Sequence, residues 1–168
     1  LGTKVVDATV NQHNQQTLRV ALAAKTKLSA SELATARQQL RHMMRLDDDL
    51  SAFYAMCKPD PQRNWIAKQG AGRLLRSATV FEDLMKLLFT TNTTWTSTEH
   101  MTRNLVAAIG SKAPSGTRAF PTAKQCLRDE DFYRDVVRCG YRAGAELLNL
   151  TLISFYWLNL SDYPRAAR

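Results

Sequence analysis

The sequence predicts a mainly α-helical fold preceded by a short β segment, and three observations predict it. From residue 29 onward, Ser/Thr-x-x-Glu/Gln sequences recur at Ser29, Thr79, Thr96 and Thr122, the arrangement in which a hydroxyl and a carboxylate or amide cap a helix N-terminus reciprocally. Most of them open an apolar run at helical spacing. Before residue 25 the apolar residues alternate with period two instead, as in half-buried strands. The 168 residues are 45% hydrophobic and 23% charged, enough to fill one core, which excludes disordered and fibrous classes.

The elements follow in order. Val5-Val6-x-Ala8-x-Val10 and Leu18 to Leu22 read as two strands, with Asn11 to Gln15 as their polar connection. Two strands are not a stable sheet alone, so residues 1–24 are expected to end a β domain or to pack on the helices. Ser29-x-x-Glu32 caps a helix with Leu33, Ala36, Leu40, Met43 and Met44 inward. Asp47 is expected to cap the next, with Leu50, Phe53, Tyr54 and Cys57 on one face, ended by Pro59 and Pro61. A short helix over 64–69 stops at Gly70. Thr79-x-x-Glu82 opens a central helix whose stripe is Val80, Phe81, Leu84, Met85, Leu87 and Leu88. The turn Thr90-Thr91-Asn92-Thr93-Thr94-Trp95 interrupts it, because β-branched residues weaken helix continuation. Thr96-x-x-Glu99 caps a further helix with Met101, Leu105, Ala108 and Ile109, stopped by Gly110. Residues 111–119 read as a basic, flexible loop, and Thr122-x-x-Gln125 as the start of a short helix. Asp129 to Asp131 favour the positive end of a helix with Phe132, Tyr133, Val136 and Val137 inward and Gly140 as its end. One more helix or strand fills 141–160.

Charge bears on partners. The chain carries 23 Lys and Arg against 15 Asp and Glu, and residues 61–168 hold 15 and 9 of these, so +6 of the net +8 lies there. Such basicity suits a polyanion. Three scattered cysteines, Cys57, Cys126 and Cys139, without a C-x-x-C spacing, exclude a disulfide framework and a zinc finger, and suggest reduced, buried thiols and a cytoplasmic setting. The longest uncharged stretch, Leu147 to Leu160, would span roughly 21 Å as a helix, short of a bilayer core of about 30 Å. It reads as a buried element, and no membrane partner is expected.

Catalytic motifs are scarce. There is no G-x-G-x-x-G, phosphate-binding loop, H-E-x-x-H or G-x-S-x-G. His13, His42 and His100 lack a metal-ligand neighbour at i+3 or i+4, and Asp47-Asp48-Asp49 reads as a helix start, so no metal or other cofactor is expected. Two constellations could carry chemistry. The turn 90–95, directly after the most apolar helix, could hold Asn92 at a fixed surface point, where its amide can pair with a base edge as donor and acceptor; it is equally a plain helix–helix connection. Gly140-Tyr141-Arg142 sets an aromatic ring beside a guanidinium, a pair able to insert beside a base; the plain alternative puts Tyr141 in the core and Arg142 in solvent.

These residues, together with RLDDDLSAFY (45–54), GAGRLLRSATVFEDL (70–84), FEDLMKLLFTTNTTW (81–95), AFPT (119–122) and GYRA (140–143), resemble the helix-hairpin-helix DNA glycosylase superfamily, and within it bacterial 3-methyladenine and 8-oxoguanine glycosylases. The resemblance covers roughly residues 29–146. It implies a glycosylase-like helical domain over 25–146, a preceding β domain of which 1–24 are the last strands, and a divergent or truncated tail over 147–168. It implies a base-excision-repair protein that flips a damaged base from duplex DNA before hydrolysing its N-glycosidic bond. Asn92 matches the residue that fills the vacated space, and Tyr141 and Arg142 match the pair that contacts the estranged base. It also implies a bacterial, nucleoid-associated location.

Departures accompany the match. The family's Leu-Pro-Gly-x-Gly hairpin and following catalytic Asp are absent from the chain, and Asp162, the one late acid, has no hairpin before it. The catalytic residue is therefore unassigned. The expectation is a DNA-binding fragment of a glycosylase without the chemical step, its domain incomplete, self-associating through Leu147 to Leu160. The alternative is a non-catalytic helical protein-interaction domain in which 147–160 docks on a partner.

Overall fold

The computed structural model describes residues 4–14 and 17–144. It is mainly α with one two-stranded sheet, and two compact units divide between Ala78 and Thr79. The expected tail 147–168, with Leu147 to Leu160 and Asp162, lies outside the described residues. Among the described residues no helix is long and apolar enough to cross a membrane.

The first unit opens with the antiparallel strands β1 (Val6–Asn14) and β2 (Thr17–Ala24), in register from Val6 opposite Ala24 to Gln12 opposite Leu18, with an irregularity before Asn14 opposite Thr17. Asn11 to Asn14, expected in the connection, belong to β1, with Asn11, Gln12 and Asn14 paired to β2. The ladder is built from backbone amides and carbonyls, so polar side chains that stay exposed do not end it. Helix α1 (Ala30–Met43) starts on a complete capping box: Glu32 N–H donates to Ser29 Oγ at 3.2 Å and Ser29 N–H to Glu32 Oε2 at 2.8 Å. Ala36 is buried, whereas Leu33, expected inward, faces an open groove lined by Arg37, Arg41 and Asp47.

Lys4 Nζ lies 2.8 Å from Glu32 Oε1, fastening the chain before β1 to α1. The Lys4 ammonium, with Ser29 N–H, holds the Glu32 carboxyl at about 2, below its ordinary 4.5. A lowered folded-state value stabilises the protein above the ordinary value, and the contribution fades as pH falls toward about 2. Glu32→Gln is therefore expected to lower the melting temperature at neutral pH and to change it progressively less toward that limit. Parallel melts of wild type and variant check this; a difference that does not shrink in acid contradicts it.

Asp47 does not cap the next helix as expected. It pairs with Arg41, and Asp49 takes the role instead, accepting from Ser51 N–H at 2.9 Å and Ser51 Oγ at 3.0 Å at the start of α2 (Ser51–Cys57). A carboxylate two residues before the helix reaches its free N–H groups; one four residues before does not. Cys57 is buried, and Phe53 and Tyr54 are half-buried. α3 (Asn64–Gln69) closes on Gly70, whose φ of +66° suits a residue without Cβ.

The second unit is built on α4 (Val80–Thr90) and α5 (Trp95–Ile109). Thr79 Oγ1 accepts from Glu82 N–H at 3.2 Å, and the Glu82 carboxylate accepts from Lys86 Nζ at 2.5 Å. Phe81, Met85 and Phe89, spaced four apart, are buried on one face with Met101 and Leu105 of α5. The expected stripe was wider than the buried one: Val80 is 68% and Leu87 64% exposed, and Leu84 is also exposed. Thr94, not Thr96, caps α5, accepting from Ser97 N–H at 3.3 Å. Both offered a hydroxyl, and the left-handed turn at Asn92 leaves Thr94 as the last extended residue before the helix.

Gly110 ends α5 as expected, with extended backbone rather than a left-handed cap. Residues 111–119 form a closed turn rather than a flexible loop. Ala119 N–H donates to Ser111 O at 3.0 Å, Ala113 N–H to Thr117 O at 2.8 Å, and Arg118 Nη1 to Gly110 O at 2.6 Å. Thr122 and Gln125 make the expected reciprocal bonds, at 2.9 and 3.3 Å, over a single turn rather than a helix. Asp129 accepts from Phe132 N–H at 2.8 Å, and Phe132–Val137 is π-helical. Tyr133 and Val137 are buried, Tyr133 donating to Cys126 O at 2.5 Å; Val136, expected inward, is exposed because the wider π turn rotates it off the core face. Arg138, with φ of +65°, ends this segment, and Gly140 begins a 3₁₀ turn (Gly140–Ala143) instead of closing the helix. Cys57, Cys126 and Cys139 are free thiols and buried; burial pushes Cys126 up to about 12 and Cys139 upward.

Candidate nucleic-acid interface

The turn between α4 and α5 is made by its threonines. Thr90 Oγ1 donates to Leu87 O at 2.6 Å and Thr91 Oγ1 to Leu88 O at 2.7 Å, satisfying carbonyls that the helix end leaves free. Asn92 follows with φ of +43°, a left-handed conformation that Asn tolerates better than most side chains. Thr98, buried at the start of α5, donates to Phe89 O at 3.0 Å and bolts the two helices together. Asn92 therefore stands exposed at the tip of a braced helical hairpin.

The 3₁₀ turn arrives at the same point. Cys139 N–H donates to Tyr133 O at 3.2 Å, and Asn104 Nδ2 to Val137 O at 3.2 Å, which fixes the preceding segment on α5. Arg142 Nε then donates to Thr91 Oγ1 at 3.0 Å and Nη1 to Cys139 O at 3.4 Å. The two constellations, 51 residues apart in sequence, are thus joined through the residue before Asn92. Thr91 Oγ1 serves both sides: it accepts from Arg142 and donates to α4.

The plain alternative for Tyr141 and Arg142 is reversed. Arg142 is 6% exposed and Tyr141 is 69% exposed. The guanidinium lies 4.5 Å from the centre of the Tyr141 ring, a cation–π contact that backs the exposed ring with a fixed plane. Its Nη2 is buried and has no partner among the described residues. Arg142 is placed to hold the turn, while Asn92 and Tyr141 are displayed. Thr91 carried no signal beyond its place in a threonine run, because its partner is set by tertiary contact.

The second unit carries exposed cations: Arg103, Lys112, Lys124 and Arg138 make no ion pair among the described residues, whereas Arg134 is neutralised by Asp131 and Asp135. No three His, Cys, Asp or Glu residues converge on a metal-sized site among the described residues.

Solved structures share this architecture. MBOgg1 in complex with a low-affinity DNA ligand matches with a TM-score of 0.63 and 19% identity, over 93% of this chain and 53% of that one. The 3-methyladenine DNA-glycosylase from Archaeoglobus fulgidus matches with a TM-score of 0.67 and 21% identity, over 87% of this chain and 51% of that one. The fold is DNA-glycosylase-like, and the chain spans about half the length of these two structures. No family model and no curated protein matches the chain.

Proposed function

We propose that this chain, on its glycosylase-like fold, is a DNA-binding part of a base-excision-repair glycosylase that holds duplex DNA where a base is damaged or has left the stack. The observation that carries the reading is the joint at Arg142: it locks an exposed amide, Asn92, and an exposed ring, Tyr141, onto one rigid platform. An extruded nucleotide leaves a gap in the helix, and short rigid groups fill it at little entropic cost. Arg142 acts as a positioning residue behind them. The unpaired cations supply sequence-independent phosphate attraction, with an affinity for intact duplex of roughly 10⁻⁴ to 10⁻⁶ M at physiological salt. The chemical step is assigned to no residue of this chain, since the hairpin and its catalytic Asp are absent from it; binding without base excision is the proposed behaviour.

The test compares intact duplex with the same duplex carrying one abasic site. Asn92→Ala and Tyr141→Ala are expected to weaken abasic-site binding by about 5-fold or more, the low end of a stacking contact, and to leave intact-duplex binding nearly unchanged. Equal losses on both DNAs would reduce the two residues to ordinary surface contacts. A second reading, a protein-interaction domain, is favoured by the exposed Val80, Leu84 and Leu87 on α4. It predicts a partner affinity nearly indifferent to salt, whereas phosphate binding falls steeply with it.

A further inference from the structure

Trp95 has no part in the joint described above, yet it opens α5 three residues after Asn92 and is 70% exposed. A tryptophan left in water forgoes the burial of a large apolar surface. Here the ring is attached to a braced backbone. Thr94 caps the helix one residue before it, and Thr98 bolts the same turn to Phe89 O. Its chain neighbours Thr93, Thr94 and Thr96 are polar and exposed, so the indole is a lone aromatic in a polar setting. That setting favours a partner with one flat apolar face and a polar edge, which describes a nucleobase. The +6 excess of residues 61–168 favours the anionic backbone that carries one.

Resting on the DNA-binding reading, we infer that Trp95 is a stacking platform for an unstacked base next to the gap that Asn92 and Tyr141 occupy. Stacking on an indole is tolerant of base identity because every base has a π face, so Trp95 adds affinity for an unpaired nucleotide without selecting its sequence. It contacts nothing in an intact duplex, where the bases cover each other.

The experiment uses the whole chain and a duplex with 2-aminopurine placed opposite an abasic site, read by fluorescence and by binding. Wild type is expected to quench the 2-aminopurine as the indole stacks on it. Trp95→Ala is expected to lose the quench and about 5- to 150-fold in affinity for this duplex, with intact-duplex affinity unchanged. Trp95→Phe, which keeps a π face, is expected to recover most of both. If Trp95→Ala quenches and binds like wild type while Asn92→Ala loses affinity for the abasic duplex alone, the stacking role is overturned and the DNA-binding reading stands. If wild type binds neither DNA at low salt, both fall.

Discussion

Gly110→Ala is expected to unfold the second unit at a much lower temperature than any other single methyl added to its backbone. A Cβ at Gly110 would lie 2.5 Å from the Val106 carbonyl oxygen, closer still to that of Ala119, and 3.3 Å from Arg118 Cβ. Two of the three obstacles are backbone atoms, which have no rotamer to escape into. Relief requires moving the end of α5 away from Ala119, which is held by Ser111 O, and α5 carries Met101 and Leu105 into the core. Overpacking of this kind costs typically 1–3 kcal/mol and occasionally more, and backbone obstacles place Gly110 at or above the upper end. At roughly 4–8 °C per kcal/mol for a unit of this size, the melting temperature should fall by about 12 °C or more. Gly116→Ala is the control in the same turn. Nothing lies within 4 Å of its added Cβ, and the cost is the left-handed backbone alone, roughly 1–2 kcal/mol. Equal melting temperatures for the two variants would contradict the close approach at Gly110.

Arg142→Ala is expected to damage stability and recognition together. The variant removes the side-chain donors to Thr91 Oγ1 and Cys139 O, although that carbonyl keeps the backbone N–H of residue 142 at 3.3 Å. Hydrogen bonds to a charged group are worth roughly 1.5–3 kcal/mol each in such settings, so a loss of about 2–3 kcal/mol is expected after relaxation. Freed from Thr91, the turn no longer holds Asn92 at one place, and Tyr141 loses the plane behind its ring. Affinity for abasic-site DNA should then approach that for intact duplex, although neither displayed side chain has been changed. Arg142→Lys keeps the charge but not the fork, and a single ammonium does not reach both acceptors in the same geometry. It should leave discrimination lost, as in Arg142→Ala. Full discrimination in either variant would show that the turn holds itself.

Much of the helical framework was legible because it depends on neighbours in sequence. Ser29 with Glu32, Thr79 before an apolar stripe, and Gly110 after one are local signals, and each marks a boundary in the structure. The errors arose where the deciding partner was distant or the period changed. Asp47 was taken from the helix it was expected to cap by Arg41 on α1. The residues Asn11 to Asn14 joined a strand because the opposite strand offered backbone partners. Val136 left the core because the segment 132–137 is π-helical, which no side-chain pattern specified. At the site, Asn92 and Tyr141 were visible as residue types in turns. Their joining through Thr91, and the burial of the most polar member, Arg142, are tertiary facts. Trp95 was read as the end of the polar turn; that it opens α5 on a braced backbone follows from the Thr94 cap and the Thr98 bond to Phe89 O.

The central claim is recognition of duplex DNA at a position without a stacked base, and one binding series tests it most directly. Wild-type protein is titrated against intact duplex and against the same duplex with a single abasic site, between about 50 and 200 mM salt. The expected result is steep loss of affinity with salt on both DNAs, with the abasic duplex bound more tightly throughout. Equal affinities for the two duplexes across the series, or no binding to either at the lowest salt, would contradict it.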